Sequence, residues 1–233
     1  MANTQLLRTI VGIIGNIISF CLFLSPVPTF VKIYKAKSVQ QFKPDIYLAT
    51  IVNCLMWVFY GTPLVTKNNV LVVTTNAVGF VIEMTYVAIF FIYSNRNKRR
   101  KILFVLLIEA IYCVVLVFCV LHFAHTLKQR AMVVGIICII FNILMYFSPL
   151  TIMRLVIKTK SVKYMPFLIS LANFANGLVW VIYALFRFDI NLVIPNGLGA
   201  LSGLVQLVLY GIYYRTTDWG NENSNSEVSM NNV

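Results

Sequence analysis

One segment of this chain occurs twice, and that duplication limits the folds open to it. Ser25-Pro26 precedes Lys-Ala-Lys-Ser-Val at residues 35–39, and Ser148-Pro149 precedes Lys-Thr-Lys-Ser-Val at residues 158–162. The offset between the two prolines is 123 residues, and it also relates Asn53 to Asn176, Trp57 to Trp180 and Tyr60 to Tyr183. Farther along, the offset falls to 120 and relates Asn76 to Asn196, Gly79 to Gly199 and Tyr93 to Tyr213. This repeat predicts two copies of one structural unit, residues 6–94 and 131–214, on either side of a spacer.

The composition places these units in a membrane. Mean hydropathy is +0.84, and 60% of the residues are hydrophobic while only 11% are charged. In soluble domains, about a quarter of all residues are charged. The net charge of +12 comes from short Lys and Arg clusters between apolar runs. Such clusters meet anionic lipid and set orientation, so the expected partner is the lipid bilayer and not nucleic acid.

Seven apolar runs reach the length of about twenty residues that a membrane span needs. They cover residues 7–33, 46–65, 70–93, 102–123, 131–157, 167–186 and 191–214. They predict an all-α polytopic membrane protein with seven transmembrane helices, in which two three-helix-bundle repeats are joined by one spacer helix (3+1+3). Residues 95–130 then hold a basic loop and the spacer helix. Because one spacer lets both three-span copies enter the membrane in the same direction, we expect the repeats to be parallel.

The basic residues divide unequally between the two sides of this plan. Fourteen of the 19 Lys and Arg residues lie after spans one, three and five or in the tail. Since positive charge accumulates on the cytosolic side, the N-terminus is predicted outside and the C-terminus in the cytosol. The polar residues 215–233 predict a disordered cytosolic tail. Its candidate phosphorylation sites are Ser224, Ser226 and Ser229.

Two prolines stand inside the first and fifth spans at equivalent places. A proline within a spanning helix removes one hydrogen bond and frees the carbonyl four residues earlier. Pro26 is therefore expected to free the carbonyl of Leu22, and Pro149 that of Met145. These paired kinks suggest paired hinges, although kinks of this kind also occur where they only shape packing.

Matched polar and aromatic residues suggest a binding site between the two copies. Asn76 and Asn196 lie several residues inside the third and seventh spans, where an amide offers donors and an acceptor to a neutral, hydroxyl-rich ligand. Trp57 and Trp180 provide flat surfaces on which the C–H face of a sugar ring stacks, although a tryptophan near a helix end also serves as an interfacial anchor. Each residue alone is compatible with a structural role, and the matched set favours a midplane site.

Two acidic residues lie inside the apolar runs, and more than one role is compatible with them. Glu83 lies two helical turns after Asn76 on the same face, and Glu109 lies near the start of the spacer span. An intramembrane acid suggests a proton relay, but the second copy has no matching acid, which favours a protonated or hydrogen-bonded packing role for Glu83. Asp189, before span seven, can meet Tyr60 or Tyr183 at the outer mouth. Neither metal-ligand spacing nor a nucleophile motif occurs, so no metal, cofactor or enzymatic activity is expected.

Five motifs of the chain resemble the plant SWEET sugar transporters. They are the repeated Ser-Pro…Lys-x-Lys-Ser-Val, the segment 53–61, Met-Tyr-Phe-Ser-Pro-Leu at 145–150, Tyr-Met-Pro-Phe at 164–167 and Pro-Asn-Gly-Leu-Gly at 195–199. The resemblance covers all seven spans, and the stretches 43–45 and 53–61 look most like the hexose-transporting subgroup. It implies two triple-helix bundles, a central cavity and facilitated sugar diffusion by alternating access without ion coupling.

The resemblance also implies roles for individual residues. Asn76 and Asn196 would hydrogen-bond the sugar between Trp57 and Trp180, and Tyr60 with Asp189 would help close an outer gate, near Tyr183. Pro26, Pro149 and Pro166 would belong to the family's proline tetrad near the cytosolic gate. The chain departs from that tetrad at Ile46, which stands in the place of the fourth proline, while Pro44 lies two residues earlier.

The sequence thus predicts a bidirectional uniporter for small sugars, glucose-type hexoses first, in the plasma membrane, with a vacuolar or other internal membrane as the alternative. The rival prediction is a proton-coupled carrier of related architecture that uses Glu83. A seven-span receptor is disfavoured by the duplication, and a membrane enzyme by the lack of a catalytic constellation. The family resemblance also allows a homo-oligomer.

Overall fold

The computed structural model describes residues 2–67 and 69–219, and this part of the chain is helical without strands. The helices are α1 (Ala2–Leu24), α2 (Val27–Ala36), α3 (Asp45–Gly61), α4 (Val70–Tyr93), α5 (Arg96–Phe123), α6 (Leu127–Met145), α7 (Phe147–Thr159), α8 (Phe167–Leu185) and α9 (Ile190–Tyr213). Most of the predicted tail, with Ser224, Ser226 and Ser229, lies outside the described residues.

Within the described residues these helices make seven spans, because α1 continues into α2 and α6 into α7. Six of the spans are long and apolar enough to cross a membrane, and α3 is a shorter apolar helix of 17 residues. The second span was predicted to reach residue 65, but α3 ends at Gly61. There the backbone of Thr62 turns to an extended conformation, and its hydroxyl donates to the carbonyl of Phe59 at 2.7 Å. The prediction of seven transmembrane helices is confirmed.

The helix breaks near Pro26 and Pro149 were expected to leave a backbone carbonyl without a hydrogen bond. The N–H of Ser25 donates to the carbonyl of Leu22 at 3.0 Å, so a tighter turn uses the acceptor that Pro26 was expected to free. In the second copy the helix breaks at Tyr146. Pro149 therefore falls in the first turn of α7, where a missing N–H costs no helical hydrogen bond.

The repeated basic motif ends the first span of each copy. Lys37 and Lys160 cap α2 and α7 with left-handed backbones, at φ of 52° and 54°. Two residues later, Val39 and Val162 are buried. The motif is thus a matched helix end whose apolar residue returns to the protein interior.

Helix contacts follow a two-fold pattern. In the first repeat α4 packs between α1/α2 and α3, and in the second α9 packs between α6/α7 and α8. The repeats meet through α1 against α8 and through α3 against α6. Since α1 corresponds to α6 and α8 to α3, the second contact repeats the first, as a two-fold axis along the membrane normal requires. The spacer helix α5 packs against α3, α4 and α6, which confirms the parallel 3+1+3 plan.

Close approach inside the second repeat depends on glycine. A Cβ on Gly203 would lie 2.6 Å from the backbone nitrogen of Phe174, and one on Gly177 would lie 2.5 Å from that of Ala200. Gly177 and Gly203 therefore let α8 and α9 pack closely inside one bundle, whereas Gly199 of the Gly199-x-x-x-Gly203 pattern faces the hydroxyl of Tyr146.

Candidate functional site

A cavity of about 460 Å³ lies between the two repeats. Much of its lining comes in pairs at the repeat offset, so equivalent side chains face each other across the two-fold axis. The polar pairs beside the two asparagines of the third and seventh spans are Ser19/Asn142, Thr50/Asn173 and Asn53/Asn176. The duplication thus produces a polar cavity on the axis between the repeats.

Asn76 and Asn196 occupy the same position on opposite walls. Each donates one amide hydrogen to the carbonyl four residues earlier, Asn76 to Val72 and Asn196 to Leu192, both at 2.8 Å. Both side chains are half-buried and line the cavity. Because an amide group has two donors and one acceptor oxygen, each retains a donor and the oxygen for a ligand.

Trp57 and Trp180 are buried, 6% and 5% exposed, and line the cavity as a second matched pair. The ring of Trp180 lies on α1, where a Cβ on Gly15 would be 3.0 Å from it. Its indole N–H donates to the hydroxyl of Ser19 at 3.2 Å. Trp57 meets Tyr60 edge-on, and Trp180 meets Tyr183 in the same way. Both tryptophans are thus fixed in the protein interior and are not interfacial anchors.

Equivalent hydrogen bonds join the repeats on both sides of the cavity. The Ser19 hydroxyl donates to Oδ1 of Asn176 at 2.7 Å, and Nδ2 of Asn142 donates to Oδ1 of Asn53 at 3.3 Å. The four residues are two repeat-related pairs. The sequence had shown Asn53 and Asn176 as a repeat pair, but neither was predicted to belong to a site.

One end of the cavity is sealed by Tyr60 and its partners. The Tyr60 hydroxyl donates to both carboxylate oxygens of Asp189, at 2.7 and 2.9 Å. Nδ2 of Asn191 donates to the same hydroxyl at 3.2 Å and to the carbonyl of Ala131 at 3.2 Å. Tyr60 belongs to the first repeat and Asp189 to the second, so this contact ties the repeats together. We call this the closed end.

Across the axis, Tyr183 has a different partner. The guanidinium of Arg8 lies over its ring, 4.1 Å from the centroid, and Nη2 of Arg8 donates to Oδ1 of Asn69 at 2.7 Å. Arg8 is only 3% exposed. Asn69 is the repeat equivalent of Asp189, so the arginine fills the gap between the second tyrosine and a neutral amide. Arg8 is one of the five basic residues on the side opposite the basic clusters, and this role was not predicted for it.

The other end carries the basic residues, and we call it the basic end. Here α2 and α7 end and α3 and α8 begin. The cavity reaches this end through Ile46 and Ile169, in the first turns of α3 and α8, and Ile46 is 50% exposed. Pro44 precedes α3 and Pro166 precedes α8. The place of the missing fourth proline thus lies inside α3, while Pro44 supplies a proline at the same junction.

The two intramembrane acids lie in different places. Glu83 is 5% exposed and lines the central cavity. Glu109 lines a separate, mostly apolar crevice between α3, α5 and α6. In each carboxyl, Oε2 is buried and makes no hydrogen bond to the described residues. The hypothesis of a hydrogen-bonded Glu83 therefore finds no bonding partner for that oxygen.

Comparison with known proteins gives a consistent result. A family model described as a sugar efflux transporter for intercellular exchange matches residues 9–98 and 132–218. The chain is 55% identical over 233 residues to the bidirectional sugar transporter SWEET5 of Arabidopsis thaliana, covering 100% of this chain and 97% of that protein. It is 56% identical over 216 residues to the bidirectional sugar transporter SWEET7b of Oryza sativa subsp. japonica, covering 93% and 82%. A solved structure of a eukaryotic SWEET transporter matches with a TM-score of 0.87 at 36% identity, covering 91% of this chain and 99% of the other.

Proposed function

The chain belongs to the SWEET family of sugar efflux transporters, a family of transporters and not of enzymes, and we therefore propose that it carries small sugars across a membrane by facilitated diffusion. The observation that carries this proposal is the cavity on the two-fold axis, with its matched asparagines, one closed end and one end that reaches the surface. The relatives named as bidirectional sugar transporters support the substrate class and transport in both directions.

The sugar binds between the matched pairs. The free donors and oxygens of Asn76 and Asn196 replace water around its hydroxyls, and Trp57 and Trp180 flank its ring and exclude solvent. The preferred substrate is a glucose-type hexose. A cavity of about 460 Å³ supports a small ligand, since it falls near the small end of the roughly 300–1,000 Å³ found for small-molecule sites.

Transport proceeds by alternating access. In the closed-end arrangement Tyr60, Tyr183 and Asp189 hold the repeats together while sugar exchanges at the basic end. The two repeats then rock about the breaks near Pro26 and Tyr146 until the other end opens. The junctions at Ile46 and Pro166 and the turn at Pro149 accommodate the movement. Both states bind the same neutral solute, so flux follows the sugar gradient alone.

The basic end faces the cytosol, because fourteen of the 19 Lys and Arg residues lie on that side and positive charge stays inside. The N-terminus is then outside, and the described conformation faces inward. The plasma membrane is the proposed location, with a vacuolar or other internal membrane as the alternative. Residues 6–94 and 131–214 act as the moving units on either side of 95–130, and homo-oligomer formation stays a prediction.

Uptake of radiolabelled glucose and sucrose into proteoliposomes tests the proposal, with Asn76→Ala and Asn196→Ala as variants and the exposed Asn97→Ala as the matched control. Each cavity variant loses neutral hydrogen bonds of about 0.5–1.5 kcal/mol, so apparent glucose affinity should fall about three- to tenfold. Wild-type kinetics in both cavity variants would show that the sugar-binding role is wrongly assigned. A wild-type protein without saturable uptake of either sugar would contradict sugar transport itself.

A proton-coupled carrier is the second candidate, and one observation favours it: the buried Oε2 of Glu83 without a hydrogen-bond partner in the described residues. Intramembrane acids commonly mark proton relays. Imposing and then collapsing a pH gradient across the same proteoliposomes separates the two. A uniporter transports at the same rate throughout, whereas a coupled carrier accumulates sugar only while the gradient lasts.

A further inference from the structure

The cavity contains a second polar layer that lies closer to the basic end. Glu83 follows Asn76 by seven residues on α4, and Ser202 follows Asn196 by six residues on α9; both line the cavity. At about 1.5 Å per helical residue, these side chains stand about 9–10 Å from the asparagines. Any solute that moves between the asparagines and the basic end passes this layer.

The buried Oε2 of Glu83 makes no hydrogen bond to the described residues. The hydroxyl of Tyr86, one turn farther along α4, donates instead to the carbonyl of Phe23 at 2.9 Å, and its ring stacks on Phe30. The hydroxyl of Thr50, which also lines the cavity, donates to the carbonyl of Ile46 at 2.8 Å. Both hydroxyls are therefore committed to backbone acceptors. A carboxyl oxygen buried without a partner costs free energy, which a ligand in the cavity can recover.

The opposite wall is not equivalent. The repeat counterpart of Glu83 is Gly203, where the backbone of Phe174 leaves no room for a side chain. On that wall, Ser202 faces the cavity, and Gln206 accepts a hydrogen bond from Ser170 at 3.0 Å. The layer thus presents a strong acceptor on one side and a hydroxyl on the other, although the asparagine layer is symmetric.

We propose that Glu83, with Ser202 opposite, forms a second sugar subsite between the asparagine pair and the basic end. The carboxyl of Glu83 accepts hydrogen bonds from sugar hydroxyls as the substrate enters or leaves. The ligand class is a neutral polyhydroxyl solute, since this is the substrate class of the proposed function and a carboxyl acceptor with a hydroxyl opposite can bind its hydroxyl groups. This inference rests on the proposed function.

Carbodiimide labelling of the full-length protein in lipid tests it directly, because such reagents modify carboxyl groups inside membranes and the label is located by mass spectrometry. Glu109, in its separate crevice, is the internal control. Glucose should lower the labelling of Glu83 at least fivefold and leave Glu109 unchanged. The protection should persist at saturating glucose in the Asn76→Ala, Asn196→Ala double variant.

Transport measurements supply the second readout. Glu83→Leu should weaken the apparent affinity for glucose in equilibrium exchange about tenfold, and Glu83→Gln, which retains an acceptor, should weaken it less. At least one deoxyglucose should bind the wild type more weakly than glucose does, because it lacks the hydroxyl that Glu83 binds. The same deoxyglucose should bind Glu83→Leu as tightly as glucose binds that variant. Thr85→Val, a change on the exposed face of α4, is the matched control and should behave as wild type.

Three results would overturn the subsite. The first is saturable transport in which glucose does not change the labelling of Glu83. The second is loss of the glucose protection of Glu83 in the asparagine double variant. The third is an unchanged glucose affinity in Glu83→Leu. Each of these leaves the proposed function standing, whereas a wild-type protein without saturable sugar transport refutes the proposed function first.

Discussion

Replacing Tyr60 by phenylalanine should loosen the closed end without disturbing its packing. The ring remains, but the hydroxyl that donates to both oxygens of Asp189 and accepts from Asn191 is lost. A hydrogen bond to a charged group contributes about 1.5–3 kcal/mol, and the carboxylate of Asp189 keeps the backbone N–H of Asn191 as a donor at 3.2 Å. Since Tyr60 and Asp189 belong to different repeats, the proposed movement of the repeats breaks this contact when this end opens.

The size of the effect can be estimated because the contact stabilises only the arrangement in which this end is closed. A loss of about 2 kcal/mol from the closed arrangement alone raises the population open at this end about 30-fold, because every 1.4 kcal/mol is tenfold. Amide hydrogen exchange measures that population for groups protected only by closure. A suitable probe at the start of α9 is the amide of Asn191, which donates at 3.2 Å to the Asp189 carboxylate that Tyr60 holds.

The assay is exchange mass spectrometry on the protein in lipid. Peptides covering residues 186–193 should exchange about 10- to 30-fold faster in Tyr60→Phe, while peptides from the middle of α5 keep the wild-type rate. Tyr34→Phe makes the same chemical change at an exposed residue of the basic end and should alter neither region. An unchanged rate at 186–193 in Tyr60→Phe would refute the gate, and equal acceleration in α5 would mean general loosening instead.

Four further substitutions test the packing around the site. Gly203→Ala forces a Cβ to within 2.6 Å of the α8 backbone and should lower the thermal midpoint, whereas Gly211→Ala, with open space around it, should raise it slightly through better helix propensity; calorimetry or fluorescence melting measures both. Arg8→Lys keeps the charge but loses the planar guanidinium that covers an aromatic ring, and should accelerate exchange at the closed end. Ser19→Ala removes the 2.7 Å hydrogen bond to Asn176 and the 3.2 Å bond from the indole, and should weaken glucose affinity about three- to tenfold in equilibrium exchange.

The asparagine and tryptophan pairs could be predicted from the sequence because duplication copies positions as well as residue types. A residue that recurs at one offset in two apolar helices occupies equivalent places in the two copies, and a parallel repeat brings equivalent places to a common axis. Asn53 and Asn176 carried the same signal. They lie one helical turn before Trp57 and Trp180, on the same helix faces, so the signal was present but was not used to predict them as site residues.

Other features depended on contacts between distant parts of the chain. The sequence predicts Arg8 as a solvent-exposed charge near the start of the first span. It is buried at the closed end because Tyr183 of the other repeat packs against its guanidinium. Glu83 and Glu109 are similar intramembrane acids in the sequence, yet one lines the central cavity and the other a lateral crevice.

The sequence by itself determined that the chain crosses a membrane seven times, that its halves are parallel copies and that matched polar groups occur within them. Each of these properties follows from local hydrophobicity or from an offset along the chain, since a backbone in lipid must form its hydrogen bonds within its own helix. Tertiary structure alone decided which helix faces meet, which acid faces the central cavity and which end is sealed. Lipid is as apolar as the helix surfaces, so hydrophobicity does not select partners in a membrane; close packing at small residues and a few hydrogen bonds do so, between groups far apart in sequence.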